Sequence, residues 1–147
     1  MYTVVRTITL RDADAAGVLF FARYLSLAHD AYEEMMASRG IRFGDMLHAG
    51  TYILPVIRTG CEYRVPLKIG DAVEIRVAIA EIRRRSYTVA YEMIAPDGRL
   101  AAKCHTTHVA VDKTSRKSIP LPDELAAALR ADAHGAKPAT TRDGRHG

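Results

Sequence analysis

The stretch DADAAGVLFFARYLSLAHDAYEE, residues 12–34, passes from two carboxylates through a glycine into an apolar run that closes on acids again. From Phe21 onward, apolar residues fall at Phe21, Leu25, Ala28, Tyr32 and Met35, with Tyr24, Leu27, Ala31 and Met36 widening the stripe. That spacing predicts a helix over 21–38 with one broad buried face. Arg39 and Gly40 follow, a cation for the negative end of the dipole and a glycine for the left-handed cap. Ahead of the helix, residues 12–17 carry turn chemistry, and Gly17 is where a backbone geometry hostile to a Cβ is best accommodated.

Upstream, residues 2–10 predict a strand in which Val4, Arg6, Ile8 and Leu10 alternate with Val5, Thr7 and Thr9. Downstream, residues 41–50 predict a short irregular or one-turn helical connection, and 52–63 have strand character broken by Pro55 and Gly60. After turn chemistry at 66–71, Val73, Ile75, Val77 and Ile79 alternate cleanly. The next strand covers 86–95, with Tyr87, Val89, Tyr91 and Met93 on one face. Pro96, Asp97 and Gly98 signal a hairpin to a partner strand over 99–111. A short helix follows over 121–130, with Pro122, Asp123 and Glu124 suited to its first turn. Past Ala131 the apolar period stops, which predicts a disordered tail over 132–147. The pattern is that of an α+β domain over 1–131, in which a curved antiparallel sheet covers a helix apolar over half its circumference.

A chain of 147 residues, 48% of them apolar, suffices for one domain with a real core. No apolar run approaches the roughly 20 residues of a membrane span, and the N-terminal residues lack signal-peptide features, so a cytoplasmic protein without a membrane partner is expected. Cys61 and Cys104 show no CxxC spacing; buried free thiols are expected, with neither a disulfide framework nor a metal site. The formal charge of +4 is scattered along the chain. It argues against nucleic acid as partner and suits a small anionic ligand such as a phosphate.

Asp14 is the leading candidate for chemistry. A helix starting near Phe21 leaves free N–H groups and a positive dipole end close to the loop carrying Asp14. A carboxylate and an oxyanion-binding amide would then meet opposite sides of one carbonyl. The alternative is that Asp12 and Asp14 merely shape the turn before the helix.

The acidic loop, its glycine, and the apolar-aromatic run into the helix resemble the signature of the 4-hydroxybenzoyl-CoA thioesterase branch of the hotdog-fold superfamily. The resemblance extends from about Thr3 to Pro122 and takes in the turn from Val65 and Pro66 to Gly70 and Asp71. It implies a long helix wrapped by a curved antiparallel sheet, with hydrolysis of an acyl-CoA thioester as the activity. It implies Asp14 as the catalytic carboxylate, Gly17 as the glycine that lets the loop approach the thioester, and the Phe21 amide as the donor to its carbonyl. Tyr24 is implied to line the acyl pocket. Many short-chain acyl-CoA thioesterases of this branch carry histidine where this chain has Phe21. Ala15-Ala16-Gly17 and the run His29 to Glu34 are most similar to the 1,4-dihydroxy-2-naphthoyl-CoA thioesterases of menaquinone and phylloquinone synthesis. Phe20, Phe21 and Tyr24 would offer such a bicyclic ring a flat apolar surface, although the same residues also suit a core. Asp14 would attack directly or activate a water, with no cofactor beyond the coenzyme A of the substrate. The resemblance also implies a homodimer with sites at its interface, or a homotetramer.

The phosphates of coenzyme A call for basic partners. Arg83, Arg84, Arg85 and Ser86 lie at a turn between strands, and Lys113 to Lys117, with Arg116, follows the last long strand; each is equally readable as a solvated turn. His105 and His108 are an odd number of positions apart on one strand and so face opposite sides, which excludes a shared metal site. Glu33 on the helix is the second choice for the carboxylate. The rival functions are a general short- or medium-chain acyl-CoA thioesterase, a hotdog dehydratase, which would be expected to place a histidine in the loop, and a noncatalytic acyl-CoA-binding protein.

Overall fold

The computed structural model describes residues 1–133. The helix over the deciding stretch forms as expected: α1 (Phe21–Ser38) buries Tyr24, Leu27, Ala28, Ala31, Tyr32, Met35 and Met36. Gly40 follows with φ 89°, and its N–H donates to the Ala37 carbonyl at 3.0 Å. The left-handed glycine ends the helix as the sequence pattern demands.

Around α1 curls a five-stranded antiparallel sheet in the order β1-β4-β5-β6-β3. Its strands are β1 (Tyr2–Thr7), β3 (Val56–Tyr63), β4 (Ala72–Ile82), β5 (Ser86–Ile94) and β6 (Leu100–Val109). A second ladder pairs the short strands β2 (Tyr52–Ile53) and β7 (Val111–Asp112). Two further helices, α2 (Phe43–Ala49) and α3 (Asp123–Ala131), complete the fold. In β5 every second residue, Tyr87, Val89, Tyr91 and Met93, is buried. These side chains and the apolar stripe of α1 form one core with Val73, Ile75, Val77 and Ile79 of β4. A sheet with one face against a helix reads in sequence as this period of two.

Several expectations are revised by the three-dimensional pairing. β1 ends at Thr7 and the chain turns through a single 3-10 turn (Leu10–Asp12), leaving Leu10 exposed. The connection over 41–50 takes the helical of its two expected forms, but over seven residues rather than one turn. Gly60 lies inside β3, where a Cβ would stand 2.8 Å from His105 Cε1; the glycine admits the histidine ring instead of breaking the strand. Cys61 and Cys104 are disulfide-bonded rather than free. They are direct partners across β3 and β6, with Cα atoms 4.1 Å apart. That closeness comes from strand register between residues 43 apart, which no local cysteine spacing announces. Asp132, assigned from sequence to the tail, is buried and accepts hydrogen bonds from Arg39 Nε and Nη2 at 2.8 and 3.0 Å. The remainder of the expected tail, from 134 on, lies outside the described residues.

Candidate functional site

The loop before α1 is a small hairpin. Ala13 bridges Leu19, the Asp14 N–H donates to the Val18 carbonyl at 2.9 Å, and the Phe20 N–H donates to the Asp12 carbonyl at 2.9 Å. Gly17 sits at its tip with φ 80° and open space around the position of a Cβ. The requirement for glycine there is conformational rather than steric. The outgoing arm is fastened to the turn before β4: Leu19 N–H donates to Leu67 O at 2.7 Å, and Ile69 N–H to Gly17 O at 3.1 Å.

Asp12 anchors the base of this hairpin. Its buried carboxylate accepts from the Thr9 N–H at 3.1 Å and hydroxyl at 2.9 Å, and from Arg23 Nη2 of α1 at 3.1 Å. Burial works to raise the Asp12 pKa, but the Thr9 hydrogen bonds and the Arg23 guanidinium outweigh it and hold the group below its ordinary value. Asp12 therefore stays ionised as a structural clamp. Asp14, by contrast, is exposed at the tip, where Oδ1 accepts only the Ala16 N–H, at 2.8 Å, among the described residues. One carboxylate is consumed by the fold and the other is left available.

The start of α1 is uncapped. Phe20 at the N-cap makes no side-chain cap, and no acid occupies the first turn. The N–H groups of Phe21 and Ala22 take no acceptor among the described residues. They are the donor groups that a helix terminus offers to an oxyanion. Phe20 and Phe21 are exposed, with rings 4.7 Å apart. Tyr24 is buried, and its ring meets Tyr63 of β3 edge-on at 4.8 Å. Burial raises the Tyr24 phenol, so it is neutral and serves as a wall rather than an acid. A carboxylate on the hairpin, free amide donors and a group of four aromatic rings thus lie around the start of α1.

Other candidates lie elsewhere in the chain. Glu33 is 12 positions along α1 from Phe21, about 18 Å at the rise of a helix; within one chain it does not share a site with the Phe21 amide. Ser86 pairs with Val109, whereas Tyr63 pairs with Ala102, which in turn pairs with Met93. Arg84, Arg85 and Ser86 are thus about 23 Å along the sheet from the aromatic end, by seven strand positions. Arg85 Nη1 donates to the Ser118 carbonyl at 2.8 Å, which brings this turn to the loop carrying Arg116. The two basic segments share one corner, at the far end from Asp14. Sequence reasoning missed Tyr63 and the Arg23 clamp, because both depend on contacts between segments far apart in the chain. Arg23 Nε is the single buried side-chain nitrogen or oxygen without a partner among the described residues.

A single long helix wrapped by a curved antiparallel sheet, with an acidic hairpin against its uncapped start, defines a hotdog-fold protein of the thioester-hydrolase class. The chain belongs to the thioesterase-like superfamily, whose profile matches residues 8–129. It is 32% identical over 145 residues to a 1,4-dihydroxy-2-naphthoyl-CoA hydrolase of Nostoc punctiforme, covering 97% of each chain. With the enzyme of that name from Rippkaea orientalis it shares 32% over 127 residues, covering 85% of this chain and 92% of the relative. Among solved structures, a 1,4-dihydroxy-2-naphthoyl-CoA thioesterase from Synechocystis superposes with a TM-score of 0.83 at 27% identity. The match covers 88% of this chain and 95% of that one.

Proposed function

We propose that the protein hydrolyses the thioester of an aromatic acyl-CoA, 1,4-dihydroxy-2-naphthoyl-CoA, to the free acid and coenzyme A. The observation that carries this reading is the free Asp14 carboxylate on the hairpin that leads into an uncapped helix start, where the Phe21 and Ala22 N–H groups have no acceptor among the described residues and aromatic rings cluster. The names of the relatives support the same substrate. A thioester carbonyl is electrophilic and a thiolate leaves well, so one carboxylate and one or two amide donors suffice without a cofactor. Asp14 attacks the carbonyl carbon or activates a water for that attack, and the Phe21 N–H holds the oxygen that becomes negative. Phe20, Phe21 and Tyr24 face the ring system.

The proposal includes association. β3 is an edge strand exposing Val56, Ile57 and Tyr63, and an unpaired apolar edge is a template for a second copy. An antiparallel two-fold pairing of β3 sets the Val56 end of one chain beside the Tyr63 end of the other. It would bring the corner bearing Arg84, Arg85, Ser86 and Arg116 of a second copy toward this helix start, within reach of the phosphates of coenzyme A. A homodimer is the minimum unit, and a homotetramer would be two of them.

No helix among the described residues is long and apolar enough to cross a membrane. The proposal places the protein in the cytoplasm, where a disulfide is uncommon. The state of the Cys61 and Cys104 pair in protein purified under alkylating conditions checks that placement.

The test follows free-CoA release from a panel of aliphatic and aromatic acyl-CoAs, with wild type and Asp14→Asn. A steep preference for the naphthoyl substrate, and a loss of at least about a hundredfold in Asp14→Asn, is expected. Preference for a short aliphatic chain would transfer the reading to a general thioesterase. Tight binding without turnover in wild type would make the protein an acyl-CoA carrier.

A further inference from the structure

Tyr63 is the last residue of edge strand β3, and its phenol donates a hydrogen bond to the Phe21 carbonyl at 3.1 Å. The same ring meets the Tyr24 ring edge-on, with an interplanar angle of 74°. In an α-helix that carbonyl also faces the N–H four residues on, that of Leu25. Tyr63 therefore adds a second donor to the first peptide group of α1, the one whose N–H belongs to Ala22. A donor on the carbonyl polarises the peptide and strengthens its N–H toward an acceptor on the other side. It also fixes the plane of that peptide, and with it the direction of the unpartnered Ala22 N–H.

The strand end that carries this phenol is well held. Cys61, two positions back and so on the same face, is bonded to Cys104 of β6. Just beyond Tyr63, the Arg64 and Val65 N–H groups both donate to the Ala101 carbonyl, at 2.8 and 3.1 Å. An edge strand tethered on both sides of one residue presents that residue at a fixed height. Tyr63 is nonetheless 49% exposed in the single chain, so part of its ring lies outside the contact with Tyr24.

We propose that Tyr63 is a positioning and specificity-determining residue: its hydroxyl aims the Ala22 amide donor at the start of α1, and its ring extends the aromatic wall begun by Tyr24. This rests on the thioesterase reading above. Tyr63→Phe keeps the ring and loses the hydroxyl, whereas Tyr63→Leu loses both.

The full-length variants are compared by kcat and KM on aromatic and straight-chain acyl-CoAs, and by hydrogen exchange of the Leu25 amide. In Tyr63→Phe, kcat is expected to fall about tenfold while KM stays within about twofold, with faster exchange at Leu25. In Tyr63→Leu, the preference for aromatic over straight-chain substrates is expected to shrink as well. Unchanged kcat in Tyr63→Phe overturns the proposal, as does an equal loss in both variants that tracks a fall in Tm. If wild type turns over no acyl-CoA, the thioesterase reading fails by itself. The exchange measurement then decides the positioning role: faster exchange in Tyr63→Phe supports it and unchanged exchange refutes it.

Discussion

The two ends of α1 are built on opposite terms. Toward its C-terminal half, Tyr32 is buried and shares a 2.5 Å hydrogen bond with the Tyr87 phenol. Both rings flank His108, with centroids 4.8 and 5.0 Å away. His108 Nδ1 faces the Leu54 carbonyl at 3.2 Å, which only accepts, so that nitrogen carries the proton. Its Nε2 then accepts from the Thr106 hydroxyl at 2.9 Å, and Thr106 in turn accepts from the Tyr91 phenol at 3.0 Å. Every member of that chain has a partner. At the N-terminal end, Asp14, Phe20 and Phe21 are exposed and two amide donors have no acceptor among the described residues. Polar groups are matched where the core must hold and left unmatched at the end proposed to receive the ligand.

Exchanging which end is damaged should separate activity from stability. The largest expected effect is at the open end: Asp14→Asn removes at least about a hundredfold of turnover. Its stability should stay within about 0.5 kcal/mol of wild type in urea unfolding, because an amide oxygen still accepts from Ala16. A variant that lost stability instead would turn Asp14 into a turn-shaping residue and remove the contrast.

The disulfide binds the sheet behind the open end. Closing a 43-residue separation constrains the unfolded chain, and reduction with dithiothreitol is expected to lower the unfolding free energy by about 2–4 kcal/mol. An unaltered denaturant midpoint after reduction would mean that the tether contributes nothing beyond the ladder between β3 and β6.

At the closed end, Tyr32→Phe leaves the Tyr87 hydroxyl buried without a partner, at a cost of about 1–3 kcal/mol. The kcat of the folded enzyme should be unchanged. A kcat loss as large as that of Asp14→Asn would show that the two ends are coupled.

The smallest effect concerns pH. Burial lowers the His108 pKa from its ordinary 6.5, with the Leu54 hydrogen bond opposing and the His29 charge adding to the shift. The unfolded chain therefore takes up a proton that the folded one refuses. The His108 contribution is complete above about pH 6.5 and is lost progressively as pH falls below it, levelling off below the folded pKa. Denaturant titrations between pH 5 and 8 should show stability rising with pH, and His108→Leu should flatten that slope while lowering the plateau by unpairing Thr106.

Much of this architecture is legible in the sequence. The stripe from Tyr24 to Met36 and the alternation in β5 report local periods, and a residue buried by a helix or strand face carries that period wherever the strand ends up. The Asp14, Gly17 and Phe21 group lies within eight consecutive residues, so the resemblance of one short loop sufficed to single it out. Tyr63 was invisible by the same logic. It reaches Phe21 from 42 positions away, and nothing in its neighbourhood distinguishes a tyrosine on a strand edge from one in a core.

The sequence by itself determined the helix, the strand order along the chain, the glycine-bearing acidic loop and the apolar faces, because these follow from backbone preference and periodicity within a few residues. Only the tertiary structure decided that Cys61 meets Cys104, that Asp12 is the clamp and Asp14 the free carboxylate, and that the basic turns lie at the far end from the amide donors. Those outcomes depend on strand register and on which residue of a pair becomes buried, and both are set by contacts among distant segments that settle only when the sheet closes over the helix.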